Sequence, residues 1–496
     1  MVLAGFTTLA AATVAACSSS GDAPPVTASR RSTTTTTTTP PGGAGSTVPD
    51  AGESPPQPVW SFQVGGPGED SLRALSGRGA EVVAVGATSG LPPDPATGGI
   101  PAAGGADTLS VTVASADGAP GPIRQAPGPD REVATAVTAA PTGAAVSCGE
   151  VAGTGPGTAL WCATLGPDGV IGPPTVDGDG GEALLGGAAM VADGTHAFVA
   201  ASTDGLFPGA QDPTGGFLGE RDALVLRVDD AGIIRWARQF GSAGDDEAEG
   251  AATAPDGDAL TAGSTAEAGS VPGLGGTDGW VARFDPAGNQ RWLTPFGTTG
   301  TDRAVAVSVG GRAERGTELV VAAGSTDGTL PSVAPPATDG AAPRPGGAAG
   351  GTDAVAAAFD TSGAPRWAVQ WGSPGEDRAV GVVVDGDTVV VAGTVGGPVV
   401  GAELVTVPGA PTAGGGGRDG FLAGLDSATG LVRWVAVFGT AADEEVTGLT
   451  RTEDGHLVVA GTTTGQMAAT LPGGGMDGFL LAFPPPPSGG GAASVL

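Results

Sequence analysis

Apolar residues in this chain come in short runs, each cut off by Gly, Asp, Asn, Thr or Pro. After Trp367 four runs follow in order: AVGVVV (379–384), TVVVAGT (388–394), DGFLAGLD (419–426) and WVAVFG (434–439). They are rich in Val, Leu and Phe, and turn pairs such as Asp385-Gly386 and Thr429-Gly430 separate them. This is the pattern of short strands joined by tight turns. Gly and Pro recur too often for long helices.

The same set of runs repeats. WARQFGSAGDDEAEG starts at Trp236, WLTPFGTTGTDRAVA at Trp292, WAVQWGSPGEDRAVG at Trp367 and WVAVFGTAADEEVTG at Trp434. A fifth copy, WSFQVGGPGEDSLRA, starts at Trp60, and weaker copies start at Ile123 and Ile171. Seven units of four strands predict an all-β chain, a seven-bladed β-propeller of four-stranded blades, because radial repetition protects strand edges. The first run, VWSFQV (59–64), is of the outer-strand type, whereas the last, DGFLLAF (477–483), is of the third-strand type. The ring is therefore expected to close with an N-terminal strand completing the last blade.

The consensus W-x-x-x-F-G-x-x-G-x-D, V-A-G-x-T and D-G-F-x-A-x-x-D-x-x-G-x-x-x-W resembles the bacterial SBBP (seven-bladed β-propeller) repeat over residues 59–483. The resemblance implies a propeller and an extracytoplasmic setting, and no particular activity. GLDSATGLVRW (424–434) also resembles the tryptophan-docking motif of quinoprotein propellers. In both families such a Trp packs between blades, which is the role expected of Trp60, Trp236, Trp292, Trp367 and Trp434.

Composition adds location. Of 496 residues, 92 are Gly and 43 Pro, and the net charge of −31 disfavours nucleic acid and anionic membrane surfaces as partners. All basic residues are Arg. Residues 2–16 form an uncharged apolar run, too short to span a bilayer, that ends in Val14-Ala15-Ala16-Cys17. This resembles a lipoprotein signal peptide (1–17) with a lipobox, which implies lipidation of Cys17, although no basic residue precedes the run. Residues 18–58, Ser/Thr/Pro-rich with seven consecutive Thr, read as a disordered tether, and 484–496 as a disordered Pro/Gly tail.

Candidate chemistry is sparse. Acids recur before each first strand: Glu69-Asp70, Asp130, Asp179, Asp245-Asp246, Asp302, Glu376-Asp377 and Asp443-Glu444. Others open each third strand: Asp107, Asp222, Asp278, Asp353, Asp419 and Asp477. Both sets belong to one face of a propeller. They form either a calcium- or ligand-binding rim or braces that accept hydrogen bonds from their own loops. The partial calcium loop TVDGDGGE (175–182) is incomplete. The same face carries long insertions at 89–106, 326–351 and 395–418. His196 and His456 fall in different blades, too far apart to share a metal. Cys148 and Cys162 lie on neighbouring antiparallel strands of one blade; outside the cytoplasm a bridge is expected, the alternative being two buried thiols. The inner-strand runs, such as VAVSV (305–309) and VGVVV (380–384), offer almost no Arg, His or Glu to converge on the channel. The expected function is a monomeric, lipid-anchored, non-enzymatic binding or scaffold module for a protein or glycan partner of the envelope. The alternative is a quinoprotein-like or lyase-type propeller enzyme.

Overall fold

The computed structural model describes residues 53–90, 106–126, 132–140, 142–152, 158–172, 175–177, 182–191, 193–207, 219–266, 275–312, 317–330, 350–410, 416–468 and 475–486. The expected signal peptide with Cys17, most of the tether, the tail from 487, Asp130, Asp179 and most of the three insertions lie outside them. Pro55 and Pro58, which the sequence assigned to the spacer, are buried.

Seven four-stranded antiparallel sheets form the propeller, one widened by a two-residue fifth strand, Glu403–Leu404. The inner strands of blades 1 to 7 are Asp70–Arg78, Glu132–Ala139, Ala183–Met190, Asp246–Thr253, Asp302–Arg312, Arg378–Asp385 and Glu444–Arg451. Together they line one central lumen. First and third strands begin, and second and outer strands end, at one face, the upper face; the described hairpins from first to second and from third to outer strand lie on the lower face.

Blade 7 closes the ring. Its outer strand is Trp60–Val64, paired antiparallel to Asp477–Phe483 with Trp60 opposite Ala482 and Val64 opposite Gly478. Trp60, Phe62 and Val64 are buried against Leu480 and Ala482. The fold therefore matches the sequence expectation, including the closing strand. The blade 6 insertion reaches over the seam, where the Ser61 hydroxyl donates to the Pro408 carbonyl.

Every inner strand carries a β-bulge at the same register, after Leu72, Ala134, Leu185, Ala248, Ala304, Ala379 and Val446. The residue opposite that point is the glycine of V-A-G-x-T or its equivalent: Gly86, Gly149, Gly263, Gly324, Gly393 and Gly461. A Cβ at any of these six would sit within 3.0 Å of an inner-strand carbonyl. The glycine is the partner that the bulge requires. Blade 3 alone has Ala201 there; its register also shifts by one residue, but over a wider stretch, with Gly186 and Gly187 opposite Ala200.

The repeated Trp binds successive blades together. Four of the five indole N–H groups reach a carbonyl in the lower hairpin of the next blade: Trp60 to Ser115 at 2.9 Å, Trp236 to Pro286 at 3.2 Å, Trp292 to Thr361 at 3.0 Å and Trp367 to Ser427 at 2.9 Å. Gly118, Gly363 and Gly430 occupy these hairpins at φ of 69°, 85° and 72° and lie against the rings of Trp60, Trp292 and Trp367. Both the left-handed backbone and the close approach exclude a side chain there. Trp434 faces blade 7, whose third and outer strands come from opposite ends of the chain and have no hairpin. Its buried N–H finds no acceptor among the described residues. Trp367→Phe is therefore expected to lose about 1 kcal/mol in urea titrations, whereas Trp434→Phe, which removes an unsatisfied donor, should be neutral or stabilising.

Candidate functional site

The bulges decide what the lumen presents. The residues left without a register partner at the bulges are Arg73, Thr135, Gly186 and Gly187, Glu249, Val305, Val380 and Thr447, one blade after another, and all of them line the cavity. Its volume is about 180 Å³. The wall is unequal. Arg73 and two Thr hydroxyls occupy blades 7, 1 and 2, Glu249 projects from blade 4, and Val305 and Val380 cover blades 5 and 6. Almost no charged groups were expected at the channel; the bulge turns two, Arg73 and Glu249, to the lumen, which strict strand alternation hides.

Above this waist a chain of ions crosses the upper mouth. Arg221 bridges Glu182 at 3.1 Å and Glu247 at 3.4 Å, and Arg303 bridges Glu247 at 2.8 Å and Glu249 at 3.4 Å. Arg378 pairs with Glu445 across the next seam but one. Only 27% of the Glu249 side chain is exposed. Burial, aided by the neighbouring Glu247 and opposed by Arg303, pushes its carboxyl up to about 7. The folded state then holds this proton more tightly than the unfolded chain does. The resulting stabilisation is full below about 4.5 and is lost as pH rises through about 7. Glu249→Gln should remove this decline, so melting curves at pH 5 and pH 8 would show the variant gaining up to about 3 kcal/mol relative to the parent. Parallel pH profiles for the two proteins would contradict the assignment.

The six third-strand acids do not form an open rim. Asp107, Asp222, Asp278, Asp353 and Asp477 are buried, and Asp419 is half-buried. Four are held by a glutamine of the adjoining outer strand: Gln125 donates to Asp107 at 2.7 Å, Gln239 to Asp222 at 2.9 Å, Gln370 to Asp353 at 2.8 Å and Gln63 to Asp477 at 2.7 Å. Three of these glutamines also accept from the second-to-third-strand loop, at Phe207, Leu330 and Met467. The first-strand acids likewise brace their own turns. Asp246 accepts from Ser242, Asp302 from Thr298, Asp377 from Ser373 and Glu444 from Thr440. By bulge register, Glu132 and Ala183 hold this position in blades 2 and 3, in place of the Asp130 and Asp179 that spacing chose.

The glycine of each F-G or W-G step lies between the two sets. A Cβ at Gly241, Gly297, Gly372 or Gly439 would press on a third-strand Asp and on the first-strand acid of the next blade at once. Burial raises the carboxyls of Asp70, Asp246 and Glu444, and Asp477 and Asp222 add repulsion at the first two. No group of three or more metal-ligating side chains gathers among the described residues.

The two histidines remain apart. His196 opens the second strand of blade 3, and burial with the Arg227 charge lowers its pKa. His456 pairs with Asp454 at 3.1 Å, and Asp454 also accepts from Ser115 at 3.0 Å. Burial would raise Asp454, but Thr452, His456 and Ser115 bring it to about 2. This set has Asp in the middle, so the serine has no base to activate it; a nucleophilic triad needs His there. Cys148 and Cys162 face each other across the strand pair of blade 2, with Cα atoms 4.1 Å apart and sulfurs at bonding distance.

No protein-family model and no curated protein matches the chain. Among solved structures, it is similar to an acylaminoacyl peptidase of Pyrococcus horikoshii at 11% identity and a TM-score of 0.38, covering 80% of this chain and 50% of that one. It thus spans about half the length of the peptidase. The phage phi92 endosialidase matches at 9% identity and 0.43, over 89% and 70% of the two chains. A quinohemoprotein alcohol dehydrogenase of Pseudomonas putida matches at 11% and 0.41, over 88% and 77%. At these values the likenesses carry nothing about chemistry.

Proposed function

We propose that this chain is an extracytoplasmic, lipid-anchored propeller of the SBBP-repeat type that presents its upper face to a protein or glycan partner of the cell envelope. It acts as a binding or scaffold module and not as a catalyst. The observation that carries this reading is the ion chain from Glu182 to Glu249 at the upper mouth of the lumen, on the face where the second strands of blades 1, 5 and 6 end at Thr88, Thr326 and Val395. Binding residues cluster on loops held by a rigid scaffold. The sulfurs of Cys148 and Cys162 at bonding distance support an oxidising compartment.

Crosslinking the full chain in intact envelope tests the partner, with Glu182→Gln, at the half-exposed end of the ion chain, as the comparison. The parent is expected to capture a partner that the variant loses while keeping its melting temperature. Equal capture by both would move the interface elsewhere. Anchoring is tested separately: Cys17→Ser should shift the protein from the membrane to the soluble fraction, and a mature N-terminus other than lipidated Cys17 would end that claim.

A further inference from the structure

We propose that the lower seam between blades 3 and 4 binds a small carboxylate, held by Arg227 and His196 where the next blade uses an aspartate of its own. The site lies on the face opposite the partner surface proposed above and does not rest on that reading.

The repeat supplies the comparison. Arg227 stands opposite Trp236 on the third strand of blade 3, and Arg283 stands opposite Trp292 at the same register of blade 4. Arg283 is buried and fully engaged. Its Nε donates to Asp258 at 2.7 Å, and its terminal nitrogens donate to Asp256 at 2.6 Å and to the Thr361 carbonyl of blade 5 at 3.2 Å. In the lower hairpin of blade 4 the Ala254 N–H donates to the Asp258 carbonyl; in blade 3 the Val191 N–H donates likewise to the carbonyl of His196. His196 thus replaces the aspartate. Asp193 does not make up for it, because its Oδ1 is taken by the Thr195 N–H at 3.0 Å and hydroxyl at 2.8 Å.

Arg227 therefore keeps the charge and lacks the counter-ion. It makes no hydrogen bond or ion pair with the described residues, and its Nε, the atom that in blade 4 serves Asp258, is buried without an acceptor. The His196 Nε2 is buried without a partner as well. The two groups are neighbours: Phe198, two residues along from His196, is the register partner of Arg227. Phe198 packs with Trp236 against blade 4, so the pair opens on the seam. Arg227 is half-buried where Arg283 is buried, which leaves its guanidinium within reach of solvent. A charge held partly out of water without a partner is costly, and a carboxylate has the two oxygens that match the guanidinium fork. An anion beside the ring also favours the imidazolium, in which Nδ1 donates to the Thr195 hydroxyl at 3.0 Å and Nε2 donates to the ligand. The charges that act on the ring are Arg227 and Asp193; Asp229, its register partner, is held by Arg235.

The chain has two histidines, so ring-proton NMR of the full protein reads the site directly, with His456 as the internal control. Acetate and succinate are titrated at pH 6 and constant ionic strength, beside sodium chloride and phosphate. Both carboxylates are expected to shift the His196 signal along a saturating curve and to leave His456 in place. Arg227→Gln should weaken that response about tenfold, the loss of a charge-assisted hydrogen bond. His196→Asp restores the blade 4 arrangement. It should melt higher than the parent and lose the rise in melting temperature that acetate gives the parent, a readout that needs no histidine signal. Each variant is checked first by thermal melting; if Arg227→Gln does not fold, Arg227→Lys serves, with a smaller loss. Saturation by phosphate alone, a response equal to that of chloride, equal shifts of both histidines, or a His196→Asp protein that melts no higher than the parent or still responds to acetate would each overturn the site.

Discussion

A chain lacking residues 59–64 is expected to lose its cooperative melting transition as a monomer. The strand supplies Trp60, Phe62 and Val64, all buried, and removing a buried aromatic alone costs about 3–5 kcal/mol. It also supplies Gln63, which donates to Asp477 at 2.7 Å and accepts from Met467 at 2.8 Å. Without it, Asp477 stays buried with one partner fewer, and the third strand of blade 7 becomes an open apolar edge. The combined loss exceeds the roughly 5–15 kcal/mol that holds a typical domain together. The truncated chain should unfold or pair through the open edge, as read by calorimetry and light scattering. Moving the same segment behind Phe483 on a short linker should restore a monomeric transition, because Trp60 and Ala482 are already neighbours. A truncated monomer with an unchanged melting temperature would refute closure by this strand.

Gly263→Ala and Gly393→Ala are expected to be far more damaging than glycine substitutions in ordinary strands. The added methyl would meet the carbonyl of Glu247 or Arg378, and also the ring of Trp280 or Phe421. Backbone at a bulge has no flexible end to yield, so each substitution should cost about 3 kcal/mol, at the upper end of overpacking losses. Ala201→Gly in blade 3, where the position opposite the bulge already carries a Cβ, should cost only about 1 kcal/mol, the ordinary entropic loss. Guanidinium titration of the three variants separates these values; near-equal losses would mean that the glycine is not coupled to the bulge.

The propeller was legible in the sequence because its signals are local. Trp, F-G, V-A-G-x-T and D-G-F each mark one strand, and the unmatched run at 59–64 gave away the closure. The lumen was not legible. Glu249 sits in DDEAEGAAT, a stretch that looks like polar loop, and one bulged residue reverses which side chains face inward. The burial of the third-strand aspartates did leave a trace: glutamine follows three residues after Trp60, Trp236 and Trp367, and it is the partner of Asp477, Asp222 and Asp353. Blades 4 and 6 carry Pro295 and Val437 there, and Asp278 and Asp419 have no such glutamine. The pairing across strands was invisible until register placed the two residues side by side.

The closing strand also sets how the ring meets mechanical load. Trp60 and Ala482 are register partners, so the chain enters and leaves along one edge of one blade. A pull that separates Val59 from Phe483 acts on a single pair at a time, and the strand peels like a zipper. A pull between Val59 and the upper face runs along the strand and must break its five register pairs together. Forced opening is a rate set by the barrier along the direction of pull. The same seam is therefore weak when the two ends are drawn apart and resistant when the upper face is drawn away from the N-terminal end.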